Sequence, residues 1–390
     1  RGDHAGARRQ DAGAATAAQH AKPTAGSRNG RDQARRIAAF GAGYGAAALD
    51  EVASKKLLKA YGIPVSKEEI AQTAAEAVKI AKKIGYPVVA KVVSADILHK
   101  SDIGGVVLNL NSAAEGLPLD SAGVAYERYL DAKSRGSSGR AIFDEIEDDA
   151  RRSFAALLRV PPNDVGFVAS TSRGLDAVVK SIEWLPGDSI VLPSTEFPTA
   201  LFAARLLASR GVVVRSVGVA ADGTLDEANL VAAVDETTRL VVASVVSFRT
   251  GQLLDTRALV ARAHEVGALV FLDAVQALGS VAVEVGDADY VCAASFKWLL
   301  GVHGAAGLYV SPRALEITHA PYVGYRGVVD LFPVHPATEE SYSDARRYQE
   351  GLPDYAALAV LHASLEQLAP LRDEIVHHNR AVTAILRDGL

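Results

Sequence analysis

The stretch 267–304, GALVFLDAVQALGSVAVEVGDADYVCAASFKWLLGVHG, constrains the fold of this chain more than any other. Its apolar run 268–272 has the length and composition of a buried parallel strand and stops on an acid, Asp273, followed closely by Gln276. A second run, 290–294, stops at Ser295-Phe296-Lys297-Trp298. In an open α/β sheet both polar sets stand at the carboxyl ends of strands, the edge at which ligands bind. Upstream the alternation repeats: strands are expected at 165–169, 189–192, 212–217 and 240–246, with helices at 175–184, 225–234 and 256–266, and a further strand at 307–310. Such βα alternation predicts a mostly parallel sheet covered by helices. Flanking helices are expected at 122–132, 143–158, 355–368 and 373–386.

A lysine and an acid presented at one sheet edge suit pyridoxal phosphate (PLP). A lysine amine in a dehydrated pocket can form an imine with the cofactor aldehyde. A carboxylate keeps the pyridine nitrogen protonated, so that the ring takes up negative charge. Another chemically suggestive element is Ser170-Thr171-Ser172-Arg173-Gly174 at the start of a helix. Free backbone N–H groups and the helix dipole make that turn an anion site, although a hydroxyl there also serves as a plain stabilising cap.

These residues resemble the class V aminotransferase family, the fold type I PLP-dependent enzymes that include cysteine desulfurases, kynureninase and isopenicillin N epimerase. The resemblance covers about residues 107–390. It implies the type I fold, a mostly parallel sheet sandwiched by helices, with a large domain over 111–334 and the start of a truncated small C-terminal domain over 335–390. It also implies roles: Lys297 as the Schiff-base lysine, Asp273 as the pyridinium partner, Gln276 near the ring hydroxyl or imine, and Ser295 at the phosphate. Ser172, Arg173 and Gly174 fall where the family seats the phosphate, with Arg173-Gly174 in place of the usual second hydroxyl. Phe197 stands where an aromatic ring, often His, stacks on the cofactor, and Ser247 is the polar stand-in for an Asn or Gln contact. The segment 346–353 resembles an Arg-Phe-Glu-x-Gly-Thr-Pro motif, with Leu352 in place of its Thr, and Arg347 is expected either to be structural or to approach the substrate carboxylate as a substrate-binding residue. An amino-acid substrate and a homodimer follow from the same resemblance. The reaction itself stays open among transamination, epimerisation, elimination and desulfuration. Desulfuration needs a nucleophilic thiol, and the one cysteine, Cys292, sits in an apolar strand where a buried, inert thiol is expected.

Composition excludes other classes. A formal net charge of −5 gives no reason to expect nucleic acid. No apolar run approaches the ~20 residues that span a bilayer, so no membrane association is expected. One cysteine precludes a disulfide framework and points to the cytoplasm. Methionine is absent even at position 1, which points to a fragment or an altered chain. Residues 1–48, rich in Ala, Gly and Arg, are expected to be a disordered leader.

Between them, residues 49–110 have a different texture. A helix is expected at 73–84, then a strand at 87–93 and the motif HKSDIGGV. This segment resembles the start of the ATP-grasp domain of NDP-forming acyl-CoA synthetases. That implies Lys91 at nucleotide phosphates, His99 in the functional loop, and ATP as a ligand only if the segment works. The alternatives to a PLP enzyme are therefore an ATP-dependent acyl-CoA synthetase fragment or an inactive fusion.

Overall fold

The computed structural model describes residues 69, 71, 73–84, 111–322, 324–330 and 340–389. Its chain forms two units, Arg1–Leu108 and Asn109–Leu390. In the first, the helix Ala74–Ile84 carries Glu76 in its first turn and Lys82 and Lys83 in its last, charges that complement the helix dipole. Glu76 N donates to Thr73 Oγ1 at 3.2 Å, which caps the helix start. Lys91 and His99 lie outside the described residues.

The second unit is built on seven strands: β1 (Val165–Val168), β2 (Ser189–Pro193), β3 (Val213–Val217), β4 (Thr238–Ser244), β5 (Leu269–Asp273), β6 (Tyr290–Ala294) and β7 (Ala306–Val310). They form one sheet in the order β1-β7-β6-β5-β4-β2-β3. The pairs β2–β3, β2–β4, β4–β5 and β5–β6 are parallel. β7 runs antiparallel to both β6 and β1, so β1 points the same way as β6. The carboxyl ends of β1, β2, β4, β5 and β6 therefore share one edge.

Apart from the edge strand β3, the sheet is buried on both faces, which is why its strands read as largely continuous apolar runs. Side chains alternate between two cores. Val241, Val270, Leu272 and Val291 join Phe154, Leu158 and Leu358 on one face. Leu240, Val242, Phe271 and Cys292 join Leu175, Val178 and Leu207 on the other. Helices Arg140–Leu158 and Tyr355–Leu368 cover the first face; Thr171–Ser181 and Pro198–Ala208 cover the second.

Two helices, Pro198–Ala208 and Pro312–Ile317, are not legible in the apolar pattern. The first (PTALFAARLLA) buries Ala200, Ala204 and Leu207 but exposes Phe202 and Leu206, so apolar residues on both faces blur the 3.6-residue period. Thr171–Ser181 begins earlier than the expected 175–184, because Ser170 takes the N-cap position and accepts from Arg173 N.

One buried polar network holds the region after β7 to the sheet. Glu147 receives Arg151 Nη2 at 2.6 Å, Arg326 Nη2 at 2.6 Å and Gln349 Nε2 at 2.9 Å. Arg151 also donates to the Val165 carbonyl, and Gln349 Oε1 accepts from Phe167 N. Each member is thus satisfied, the condition under which such a buried cluster is tolerated.

Candidate active site

The shared carboxyl edge gathers Ser170–Gly174 after β1, Glu196–Phe197 after β2, Ser244–Ser247 at the end of β4, Asp273–Gln276 at the end of β5 and Ser295–Lys297 after β6. Asp273 closes β5 in parallel register with Ser244 and with Cys292. Part of Asp273 reaches the surface of the site, but its carboxyl is packed deeply enough that burial pushes its pKa up to about 7. Its one hydrogen bond among the described residues is from Val275 N to Oδ1 at 2.9 Å. Oδ2 is left to receive a donor from a bound group.

Lys297 rides on a tight turn. Leu300 N donates to the Lys297 carbonyl at 3.0 Å and Gly301 N to the Ser295 carbonyl at 2.9 Å. Leu300 takes a left-handed φ of 53°, which a bulky residue adopts only under constraint. The amine makes no hydrogen bond or ion pair among the described residues; it faces the rings of Phe197 (6.0 Å to the centroid) and Phe296 (5.8 Å). Burial lowers its pKa, against the opposing pull of Asp273 and Glu115. A larger neutral fraction makes the amine a better nucleophile near neutral pH.

The segment 111–116 seals this turn. Gly116 N donates to the Phe296 carbonyl at 2.8 Å, and Gln276 Nε2 donates to the Ala113 carbonyl at 2.8 Å. A Cβ on residue 116 would fall 1.9 Å from the Lys297 carbonyl oxygen, so only glycine permits the approach. Glu115 pairs with His303 at 3.5 Å, and His303 stacks on Phe296 with centroids 4.4 Å apart.

The other expected residues fall into three groups. Phe197 meets Phe248 edge-on at 5.4 Å and forms an aromatic wall beside Lys297. Ser172 is exposed at the helix start and shares a hydrogen bond of 2.8 Å with Thr199, while Arg173 pairs with Asp176 at 2.7 Å and with Glu350. Gly174 is buried, with room for no Cβ against Cys292 Sγ at 2.8 Å. In the second group, side-chain groups are engaged in building the loops: Ser295 Oγ donates to the Val302 carbonyl, Ser247 Oγ accepts from Arg249 N and Thr250 N at 3.3 Å, and Gln276 Oε1 accepts from Trp298 Nε1 at 2.8 Å. Arg347 stands apart. Its Nη2 donates to Thr318 O and Oγ1, both at 2.9 Å, beside Tyr348, whose hydroxyl meets that of Tyr290 at 3.0 Å. Tyr290 opens β6, so this chain keeps Arg347 at the amino edge of the sheet, away from Lys297.

Two side chains had no individual role from the sequence. Glu196, buried beside Phe197, accepts from Ser244 N at 2.7 Å, Ser244 Oγ at 2.6 Å and Phe197 N at 3.2 Å. Its signal was there to read, an acid just past a strand, as with Asp273. Thr171 is the other: its hydroxyl is buried beside the Cys292 thiol and has no full hydrogen-bond partner among the described residues.

These residues fit PLP. An acid with raised proton affinity and a free oxygen, an unpaired half-buried amine facing an aromatic ring, and an under-bonded hydroxyl at a helix N-terminus match the ring nitrogen, the aldehyde and the phosphate respectively. Fold and site together define a type I, PLP-dependent α/β protein. More particularly, the chain belongs to the class V aminotransferase family, whose model matches residues 119–390. It is 30% identical over 295 residues to a cysteine desulfurase of Dickeya dadantii, covering 67% of this chain and 69% of that one. The solved structure of the cystine C-S lyase C-DES with its reaction product cysteine persulfide shares the fold, with a TM-score of 0.61 and 24% identity over 67% of this chain and 71% of that one. A separate ATP-grasp domain model matches residues 42–116, and 67 residues are 57% identical to 4-hydroxybutyrate–CoA ligase [ADP-forming] of Nitrosopumilus maritimus, 17% of this chain and 10% of that protein. Among the curated relatives, two probable cysteine desulfurases are spanned over 41% and 66% of their length. No helix among the described residues is long and apolar enough to cross a membrane.

Proposed function

We propose that this chain is a PLP-dependent enzyme that acts on an amino acid through Lys297, of the C–S lyase or desulfurase type. The observation that carries the reading is the pairing at one sheet edge of an unpartnered, half-buried Lys297 amine with the proton-avid Asp273 carboxyl. When bound, the cofactor supplies an aldehyde carbon and a protonated ring that withdraws electrons from the substrate α-carbon.

The chain's own residues do the rest. Asp273 Oδ2 holds the ring proton. Phe197 and Phe296 flank the Lys297 amine, and Phe197 would stack on the cofactor ring. Ser172 and the free N–H groups at the start of the 171–181 helix would hold the phosphate. As a free amine, Lys297 Nζ would take the substrate α-proton and return it at the position that decides the product. Cys292 is fully buried and burial raises its thiol pKa, so this thiol is inert core packing and not a nucleophile. The proposal includes a homodimer, in line with the exposed Phe202 and Leu206 on one helix, and a cytoplasmic setting, in line with a single unpaired cysteine.

The ATP-dependent ligase reading is the weaker one, because its match covers a tenth of the ligase it resembles. Absorption spectra of the chain with added PLP test the proposal. The wild type is expected to show a near-visible band that borohydride removes, and Lys297→Ala to lack it. An identical band in the variant would refute the assignment.

A further inference from the structure

The carboxyl ends of β2, β4 and β5 hold two buried acids where the proposed chemistry uses one. Glu196 is 6% exposed and accepts three hydrogen bonds, two from Ser244 and one from Phe197 N. Ser244 is the residue paired in register with Asp273. A single residue thus joins the two acids across adjacent strands, and the same carboxylate fixes the backbone of the aromatic that faces Lys297.

The groups facing Asp273 are Glu196 from the loop after β2, Lys297 from the loop after β6 and the Cys292 thiol from β6. Those facing Glu196 are the Ser244 and Phe197 donors and Asp273. Burial raises the proton affinity of both acids. Glu196 has three donors against one for Asp273, and negative charge on Glu196 makes Asp273 more reluctant to give up its proton.

We propose that Glu196 is a positioning residue, a fixed buried carboxylate clamped between Ser244 and Phe197, that keeps Asp273 basic enough to hold the ring proton of the cofactor and holds Phe197 over the Lys297 amine. This rests on the PLP reading and deepens it. Glu196 touches neither substrate nor cofactor; it works through Asp273 and Phe197.

Glu196→Gln removes the charge at nearly constant shape: the amide oxygen still accepts from Ser244 N and the amide N–H reaches Ser244 Oγ, while the bond from Phe197 N is lost. The measurement is the infrared carboxyl band of Asp273 against pH in the cofactor-free chain, assigned with Asp273→Asn. The expected result is a downward shift of the Asp273 midpoint by about one pH unit in Glu196→Gln. Should that variant fail to fold, Ser244→Ala, which takes one donor from Glu196 and weakens its charge, is expected to shift the midpoint the same way by less. An unchanged midpoint in the folded variant overturns the inference, because a purely structural role would leave the titration alone. If the midpoint falls but PLP does not attach to the wild type at Lys297, the coupling stands and the functional reading fails; attachment with an immobile midpoint means the reverse.

Discussion

Asp273 shows how one residue carries both fold and chemistry. As the last residue of β5 it must leave water, and burial without enough donors lifts its pKa to about 7. An acid whose folded pKa lies above its unfolded value binds more protons folded than unfolded between the two. Stability of the cofactor-free chain is therefore expected to fall as pH rises from about 4 to about 7, by an amount on the order of a few kcal/mol. Asp273→Asn is expected to flatten that slope in denaturant titrations run across the pH range; an unaltered slope would show that the carboxyl is already ionised in the folded chain. Roles at this scale were unevenly legible. Lys297 and Asp273 stand out only as a pair, because an acid at a strand end is often a cap and a lysine just past a strand is usually solvated. Glu196 carried the same signal, but the neighbouring Phe197 drew attention as the ring. The engagement of Gln276 with Ala113 and Trp298, and of Arg347 with Thr318, arises from contacts between segments far apart in the chain, which no local pattern encodes.

At the scale of elements, the strands were read well because a sheet buried on both faces has to be continuously apolar. Helix boundaries were less legible. The 171–181 helix starts where the Ser170 hydroxyl accepts from Arg173 N at 3.2 Å, a bond that apolar spacing does not register. Ser170→Ala is expected to cost about 1 kcal/mol in urea unfolding and to weaken PLP retention on dialysis, since the same turn presents the N–H groups proposed to hold the phosphate. Loss of stability with full retention would separate the cap from the ligand site. The Pro198–Ala208 helix was invisible for the opposite reason: residues such as Phe202 and Leu206 make its outer face as apolar as its inner one.

The large unit as a whole is held by more than its two apolar cores. Glu147 anchors Arg151, Arg326 and Gln349, which tie the segments around 326 and 349 to the Arg140–Leu158 helix and to β1. Glu147→Ala leaves a buried Arg151 without its carboxylate and is expected to cost about 3–5 kcal/mol in denaturant unfolding. A cost below about 1 kcal/mol would mean that the cluster relaxes and takes up water. None of these residues touches the Lys297 edge, so a variant that still folds should still take up PLP. That uptake is the claim on which the account depends. The most direct measurement is peptide mass mapping of the PLP-treated, borohydride-reduced chain. The account predicts a single phosphopyridoxyl group on the peptide containing Lys297; a label spread over surface lysines, or none, would contradict it.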